Sequence, residues 1–221
     1  MTEAAAAYRH WRESLIEAGN ALLDKGLVTG TWGNISVRID HRLFAVTPSG
    51  RSYRTLSPED IAIVDAAGNH IAGLPPSSEL PLHLAIYAAR PDIAAIVHTH
   101  SVFASACAVA RRPIPAIIED LVQLAGGDVA VAAYALPGTS ELATNTVEAL
   151  AAKFAVLLAN HGAVACGKTL CEAMTAAELV EKAAQIFSWA QLLGGAVPLS
   201  SEDIAGMHRF YLEHYRQRQG G

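Results

Sequence analysis

Charge, cysteine and long apolar runs are all scarce in this chain, and each scarcity removes a class of function. Of 221 residues, 16 are Lys or Arg and 21 are Asp or Glu, a net charge of −5. No basic stripe of the kind that tracks a phosphate backbone is present, so nucleic acid is not an expected partner. The stretch from Arg209 to Arg218 is short and interrupted by Glu213, and reads as a solvated helix end. Cysteine occurs three times, at Cys107, Cys166 and Cys171. An odd number in apolar surroundings argues against a disulfide scaffold, and the absence of C-x-x-C argues against a thiolate zinc site. No run approaches the ~18 apolar residues that would span a membrane. The first residues mix Glu3, Arg9, Arg12 and Glu13 with alanine and leucine and lack a signal-peptide core. The expectation is a reduced, cytoplasmic protein with no membrane partner.

What is abundant is alanine and apolar surface. The chain is 52% hydrophobic and 17% charged, which leaves little polar material to cover its helices. Apolar faces buried between copies of the chain are therefore expected. The length suits one domain spanning 1–221.

Periodicity divides the chain into a mixed α/β pattern. Tyr8, Trp11, Leu15, Ala18 and Leu22 recur at helical spacing, and Gly26 ends that helix. Short β-rich runs predict strands over 35–39, 43–47, 61–65, 94–98, 129–133, 155–159 and 163–166. Helices are predicted over 78–90, 101–110, 119–125 and 139–153. A further helix runs from a capping box at Thr169–Glu172 to about Leu193, and another opens at Ser201. The order of the sheet is not readable from the pattern. Gly162 to Thr169 satisfies G-x-x-x-x-G-K-[ST], the phosphate loop of nucleotidases. Its interior, Ala163-Val164-Ala165-Cys166, reads as a strand instead, and too little chain follows to build a nucleotidase sheet.

The most informative stretch is Ile96-Val97-His98-Thr99-His100. Side chains alternate along a strand, so His98 and His100 share one face and two imidazoles converge. The plainer reading is three unrelated strand-end histidines, this pair and His161; the spacing of the pair favours a first-row metal. A second apolar run ends in Asn160-His161-Gly162, and Pro75-Pro76-Ser77-Ser78-Glu79 supplies a carboxylate. Spacing alone does not bring His161 and Glu79 to the pair.

Four stretches carry a resemblance: TWGNISVR at 31–38, VTPSG at 46–50, PSSELPLHLAIYAARPDIAAIVHTHS at 76–101 and LLANHGAV at 157–164. In order and approximate spacing they resemble the class II aldolase/adducin family, and the likeness runs from about Glu3 to Tyr215. It implies an α/β/α layered fold with a central, mainly antiparallel sheet. It also implies a divalent metal, Zn²⁺ first and Mn²⁺, Co²⁺ or Fe²⁺ as alternatives, held by His98, His100 and His161. Glu79 would be the carboxylate that ligates and then acts as acid and base. Gly33, Asn34, Ser49, Gly50, Ser77 and Ser78 match the family's phosphate-contacting loops.

The implied activity is cleavage of a ketose 1-phosphate to dihydroxyacetone phosphate and an aldehyde, with a Lewis acid stabilising the enediolate left when C3–C4 breaks. Epimerases, dehydratases and decarboxylases of sugar phosphates use the same fold, and an adducin-like interaction domain is the non-enzymatic alternative. The intact histidines argue against the last. Lys25, Lys153, Lys168 and Lys182 all read as helix-end or surface residues, which disfavours Schiff-base chemistry. One departure stands out. After Pro113-Ile114-Pro115-Ala116-Ile117, where fuculose-phosphate members carry a proton-donating tyrosine, this chain has Ile118-Glu119-Asp120. Glu119 either enters a neighbouring subunit's site or caps the next helix, and Tyr211 or Tyr215 would otherwise supply a phenol. An apolar aldehyde end follows, such as a deoxy or methylthio sugar. The resemblance implies a homotetramer.

Overall fold

The computed structural model describes residues 8–216. Its centre is an eight-stranded sheet ordered β4-β3-β2-β1-β5-β8-β7-β6. The strands are β1 (Asn34–Arg38), β2 (Leu43–Val46), β3 (Ala62–Asp65), β4 (His70–Ala72), β5 (Ala95–Thr99), β6 (Ala130–Ala132), β7 (Ala155–Leu158) and β8 (Gly162–Gly167). Every neighbouring pair is antiparallel except β6–β7, which is parallel. The helices are α1 (Arg9–Asp24), α2 (Leu80–Ala89), α3 (Val102–Val109), α4 (Glu119–Ala125), α5 (Ser140–Leu150), α6 (Leu170–Leu192) and α7 (Ser201–Phe210). A π-helical turn, Tyr211–Tyr215, continues α7. The expected layered α/β fold is therefore present.

Alternation along the central strands assigns the two faces. Ile35, Val37, Ala45 and Val97 pack with Leu15 and Leu22 of α1 and with Ala173, Ala176 and Ala177 of α6. Val46, Ile96 and Val164 pack on the other face with Leu82 and Ile86 of α2 and Leu142 and Leu150 of α5. All five residues of β5 are buried, which is why this strand reads as a continuous apolar run rather than an alternating one. His98 lies two residues beyond Ile96 and so belongs to the α2 face.

Element ends differ from expectation in instructive ways. The edge strand β4 is absent from the periodicity because its three residues are exposed or half-exposed and its pairing with β3 is irregular. Helix α2 begins at Leu80 rather than near Ser78, because Ser77 first forms a turn: its hydroxyl accepts from the Glu79 N–H at 3.2 Å, and its carbonyl accepts from the Leu80 N–H. Helix α5 stops at Leu150, where Ala151 takes a positive φ of 48°. The nucleotidase-like stretch is β8, paired on both sides by β5 and β7, so its backbone N–H groups have no freedom to cradle a phosphate. Thr169 caps α6 as expected, accepting from the Glu172 N–H, while the Glu172 carboxylate accepts from Lys168 N–H.

Candidate metal centre

Three strands and one helix start deliver the four candidate ligands to one point. His98 is in β5, and His100 follows its last residue. His161 sits in the turn between β7 and β8, and Glu79 is the residue before α2. Their ligand atoms lie within 4.8 Å of one another. His98 Nε2 stands 2.9 Å from His100 Nε2 and 3.2 Å from His161 Nε2. Two nitrogens each about 2.05 Å from one ion lie about 2.9 Å apart at a right angle and about 3.3 Å apart at the tetrahedral angle. The spacing is thus that of imidazoles around a single small cation. Glu79 Oε2 is 3.1 Å from His98 Nε2, and Oε1 is 3.3 Å from His161 Nε2.

The Asn-His-Gly motif has a physical reading here. Asn160 adopts a positive φ of 55°, which asparagine tolerates better than most residues, and its side-chain carbonyl accepts from Arg111. That tight turn aims His161 inward. A Cβ on Gly162 would stand 2.2 Å from the Thr99 carbonyl oxygen and 3.1 Å from the His100 ring. Glycine there lets the second histidine strand close on the first. Gly33 plays a like part, since a Cβ there would lie 2.8 Å from the His98 carbonyl oxygen.

The electrostatics prepare the site for a cation. The His98 Nδ1–H donates to the Ala163 carbonyl at 2.9 Å, so Nε2 faces the cluster. Burial, reinforced by charge on His98 and His161, pushes His100 down to about 3. Burial and His98 push His161 down to about 4. Both rings are therefore neutral ligands at ordinary pH. Burial disfavours a charge on His98, but Glu79 outweighs it and raises that pKa. Burial alone would raise the Glu79 carboxyl, yet His98, His161 and the Asn34 hydrogen bond hold it well below the usual range. Among the described residues, Glu79 Oε1 and His161 Nδ1 are buried without a hydrogen bond, although Oε1 keeps its 3.3 Å contact with His161 Nε2. Three imidazoles fit Zn²⁺ and leave a fourth position, which the Glu79 carboxylate can fill and cede to a substrate oxygen.

Glu79, His100 and His161 of the cluster form one wall of a cavity of about 340 Å³, with His98 buried behind them. All six phosphate candidates, Gly33, Asn34, Ser49, Gly50, Ser77 and Ser78, line the same cavity, with Thr31, Trp32, Pro48 and Pro137. Their loops are zipped together: Ser77 N–H donates to Thr47 O, and Ser49 N–H donates to Pro75 O, each at 3.1 Å. No lysine lines this cavity; Lys25, Lys153 and Lys182 are engaged by Glu178, Asp128 and Asp120 elsewhere. The remaining candidates lie outside the cavity lining. Glu119 is exposed in the first turn of α4. Tyr211 is 3% exposed in the core, its hydroxyl facing Glu172. Tyr215 is 45% exposed. Of the two tyrosines, only Tyr215 is presented outward.

A family model for the class II aldolase and adducin N-terminal domain matches residues 13–188. This chain belongs to the class II aldolase/adducin family. A Rhodospirillum rubrum 5-methylthioribulose-1-phosphate/5-deoxyribulose-1-phosphate aldolase is 41% identical over 174 residues, covering 79% of this chain and 78% of its own. A Bacillus thuringiensis 5-deoxy-D-ribulose 1-phosphate aldolase is 37% identical over 209 residues, or 94% of this chain and 97% of its own. Among solved structures, an L-fuculose 1-phosphate aldolase superposes with a TM-score of 0.88 at 39% identity, covering 91% of this chain and 95% of its own.

Within the same family stretches, Ser36, His83 and Tyr87 join Asn34 in a network that motif reading misses. Asn34 donates to Glu79 Oε2 at 2.8 Å, and its side-chain oxygen meets His83 Nε2 at 2.6 Å. Behind them, Ser36 Oγ lies 2.6 Å from His83 Nδ1 and 2.9 Å from the Tyr87 hydroxyl. A spacing signal exists: Asn34 and Ser36 alternate on one strand face, while Glu79, His83 and Tyr87 recur every fourth residue on one helix face.

Proposed function

We propose that this protein is a divalent-metal aldolase that cleaves a ketose 1-phosphate to dihydroxyacetone phosphate and an aldehyde with an apolar far end, the class of 5-deoxy- or 5-methylthio-ribulose 1-phosphate. The observation that carries this reading is the convergence of His98, His100, His161 and Glu79 on a cavity whose other loops offer phosphate donors. The printed activities of the Rhodospirillum and Bacillus relatives support the substrate class. So do Trp32 and Pro137, apolar members of the cavity lining.

The three histidines and Glu79 would hold Zn²⁺, with Mn²⁺, Co²⁺ or Fe²⁺ as alternatives. When bound, the cation supplies Lewis acidity to the ketose carbonyl and its neighbouring hydroxyl. The protein's own part is positional and protonic. Gly33, Ser49, Gly50, Ser77 and Ser78 anchor the phosphate with backbone and hydroxyl donors, and Asn34 has one amide hydrogen to spare after serving Glu79. In cleavage the C4 hydroxyl gives up its proton, the C3–C4 electron pair stays on C3, and C3 later takes up a proton. Glu79, a member of both the cluster and the cavity lining, is the acid and base for the substrate carbon. Glu119 or Tyr215 of a neighbouring copy serves the C4 hydroxyl in a homotetramer. Exposed Trp189, Leu192, Leu193 and Val197 around the end of α6 are the apolar surface such an assembly would cover. The unpaired cysteines accord with a cytoplasmic setting.

The test is a panel of ketose 1-phosphates incubated with zinc-supplemented protein and followed by ¹H NMR. Dihydroxyacetone phosphate and aldehyde should form in equal amounts. An epimerised, dehydrated or decarboxylated product, or equal turnover of the unphosphorylated sugar, would overturn the reading.

A further inference from the structure

The hydrogen bonds behind Glu79 form a chain whose direction is forced from one end to the other. The Glu79 carboxylate accepts only, so the Asn34 amide nitrogen donates to it at 2.8 Å. That orientation turns the Asn34 side-chain oxygen, also an acceptor only, toward His83 Nε2 at 2.6 Å. His83 Nε2 therefore carries a hydrogen. Its Nδ1 then accepts from the Ser36 hydroxyl at 2.6 Å, and Ser36 accepts from the Tyr87 hydroxyl at 2.9 Å. Reversing any one bond leaves two donors or two acceptors facing each other.

The chain crosses an apolar layer. His83 is fully buried, and Tyr87 packs with Phe44, Ile86 and Ile96. Burial pushes His83 down to about 3, which keeps the ring neutral and suits it to one donor and one acceptor. Polar groups sealed in such a layer are retained only when every partner is in place. The far end of the chain touches neither the cavity nor solvent, so its effect is exerted through Asn34 on Glu79.

We propose that His83, held as its Nε2–H tautomer by Ser36 and Tyr87, is a positioning residue that locks the Asn34 amide and thereby fixes the Glu79 carboxylate, with Oε2 tied back and Oε1 held beside His161 in the metal cluster. The catalytic consequence rests on the aldolase reading; the tautomer does not. Without the lock, Asn34 can turn its amide, and Glu79 keeps only its contacts with His98 and His161 to set its rotation.

Two measurements test the proposal. In ¹⁵N-histidine-labelled protein, metal-free and zinc-loaded, the His83 resonances should report the Nε2–H tautomer from about pH 5.5 to 8, as expected for a pKa of about 3. An Nδ1–H tautomer or an imidazolium would overturn it. In steady-state cleavage of the accepted ketose 1-phosphate, His83→Leu should lower kcat about 10–100-fold. KM and zinc content should stay within about threefold, because the three histidines and five of the six phosphate-loop residues are untouched. His83→Gln, which keeps an N–H in reach of Asn34, should recover most of the lost kcat. Equal losses in the two variants, or losses carried by KM or zinc content, would make His83 a packing residue and overturn the proposal. Should His83→Leu fail to fold, Ser36→Ala decides: it removes the donor to Nδ1, and an unchanged tautomer together with unchanged kcat would refute the chain. A wild-type protein inert toward every ketose phosphate would sink the aldolase reading, while the NMR measurement would still decide the tautomer.

Discussion

A neutral imidazole sealed between sheet and helix must make this protein sensitive to acid, and His83→Gln isolates that contribution. Burial, with His98 adding to it and Glu79 opposing, moves His83 from 6.5 in the unfolded chain to about 3 in the folded one. Above pH 6.5 the ring is neutral in both states and contributes no pH dependence. Below 6.5 the unfolded chain binds a proton that the folded one does not, so stability falls as pH falls, until the folded ring also titrates near 3. The slope is about 1.4 kcal/mol per pH unit, and the whole window amounts to something on the order of 5 kcal/mol. His83 is fully buried, so solvent screening does not reduce the figure much. Urea unfolding of metal-free wild type and His83→Gln, in steps between about pH 4.5 and 8, reads the effect directly. The difference in unfolding free energy, wild type minus variant, should be level above about pH 7 and drop by about 1.4 kcal/mol per unit below about pH 6. Glu79, His100 and His161 titrate in both proteins and largely cancel in the difference. A difference that is level throughout, or that grows toward acid, would refute a neutral, sealed His83.

Three further outcomes are expected. His100→Ala should stay folded by circular dichroism and lose most of its zinc by metal analysis, because one of three imidazoles is gone; full retention of zinc would contradict the ligand set. Glu79→Gln should keep close to one zinc per chain and lower turnover by ~10²–10⁴; unchanged turnover would remove Glu79 from the proton chemistry. Gly162→Ala places a Cβ 2.2 Å from the Thr99 carbonyl and should destabilise the fold by roughly 1–3 kcal/mol while weakening zinc binding; a neutral substitution would show that β5 and β8 close without that contact.

Much of this architecture was legible in the chain alone, for local reasons. Leu15, Ala18 and Leu22 announce α1 by spacing, and Thr169 announces the start of α6. His98 and His100 declare a shared face because a strand alternates. Two features of the ends were not legible. β4 is a short, largely exposed edge with irregular pairing, so no apolar alternation marks it. The aromatic end is ambiguous because Tyr211 and Tyr215 look alike in sequence; packing against Glu172 draws Tyr211 into the core and leaves Tyr215 outside.

The sequence by itself determined which side chains are available and how they sit on each element: two histidines on one strand face, a carboxylate at a helix start, a histidine at the end of a second apolar run. Tertiary structure decided which of them meet. Asn34 and Glu79 are 45 residues apart, Ser36 and His83 are 47, and His98 and His161 are 63. Local periodicity carries no information about such pairings. They follow from the order of strands in the sheet, with β1 and β8 flanking β5, and from α2 lying across the face to which His98 points.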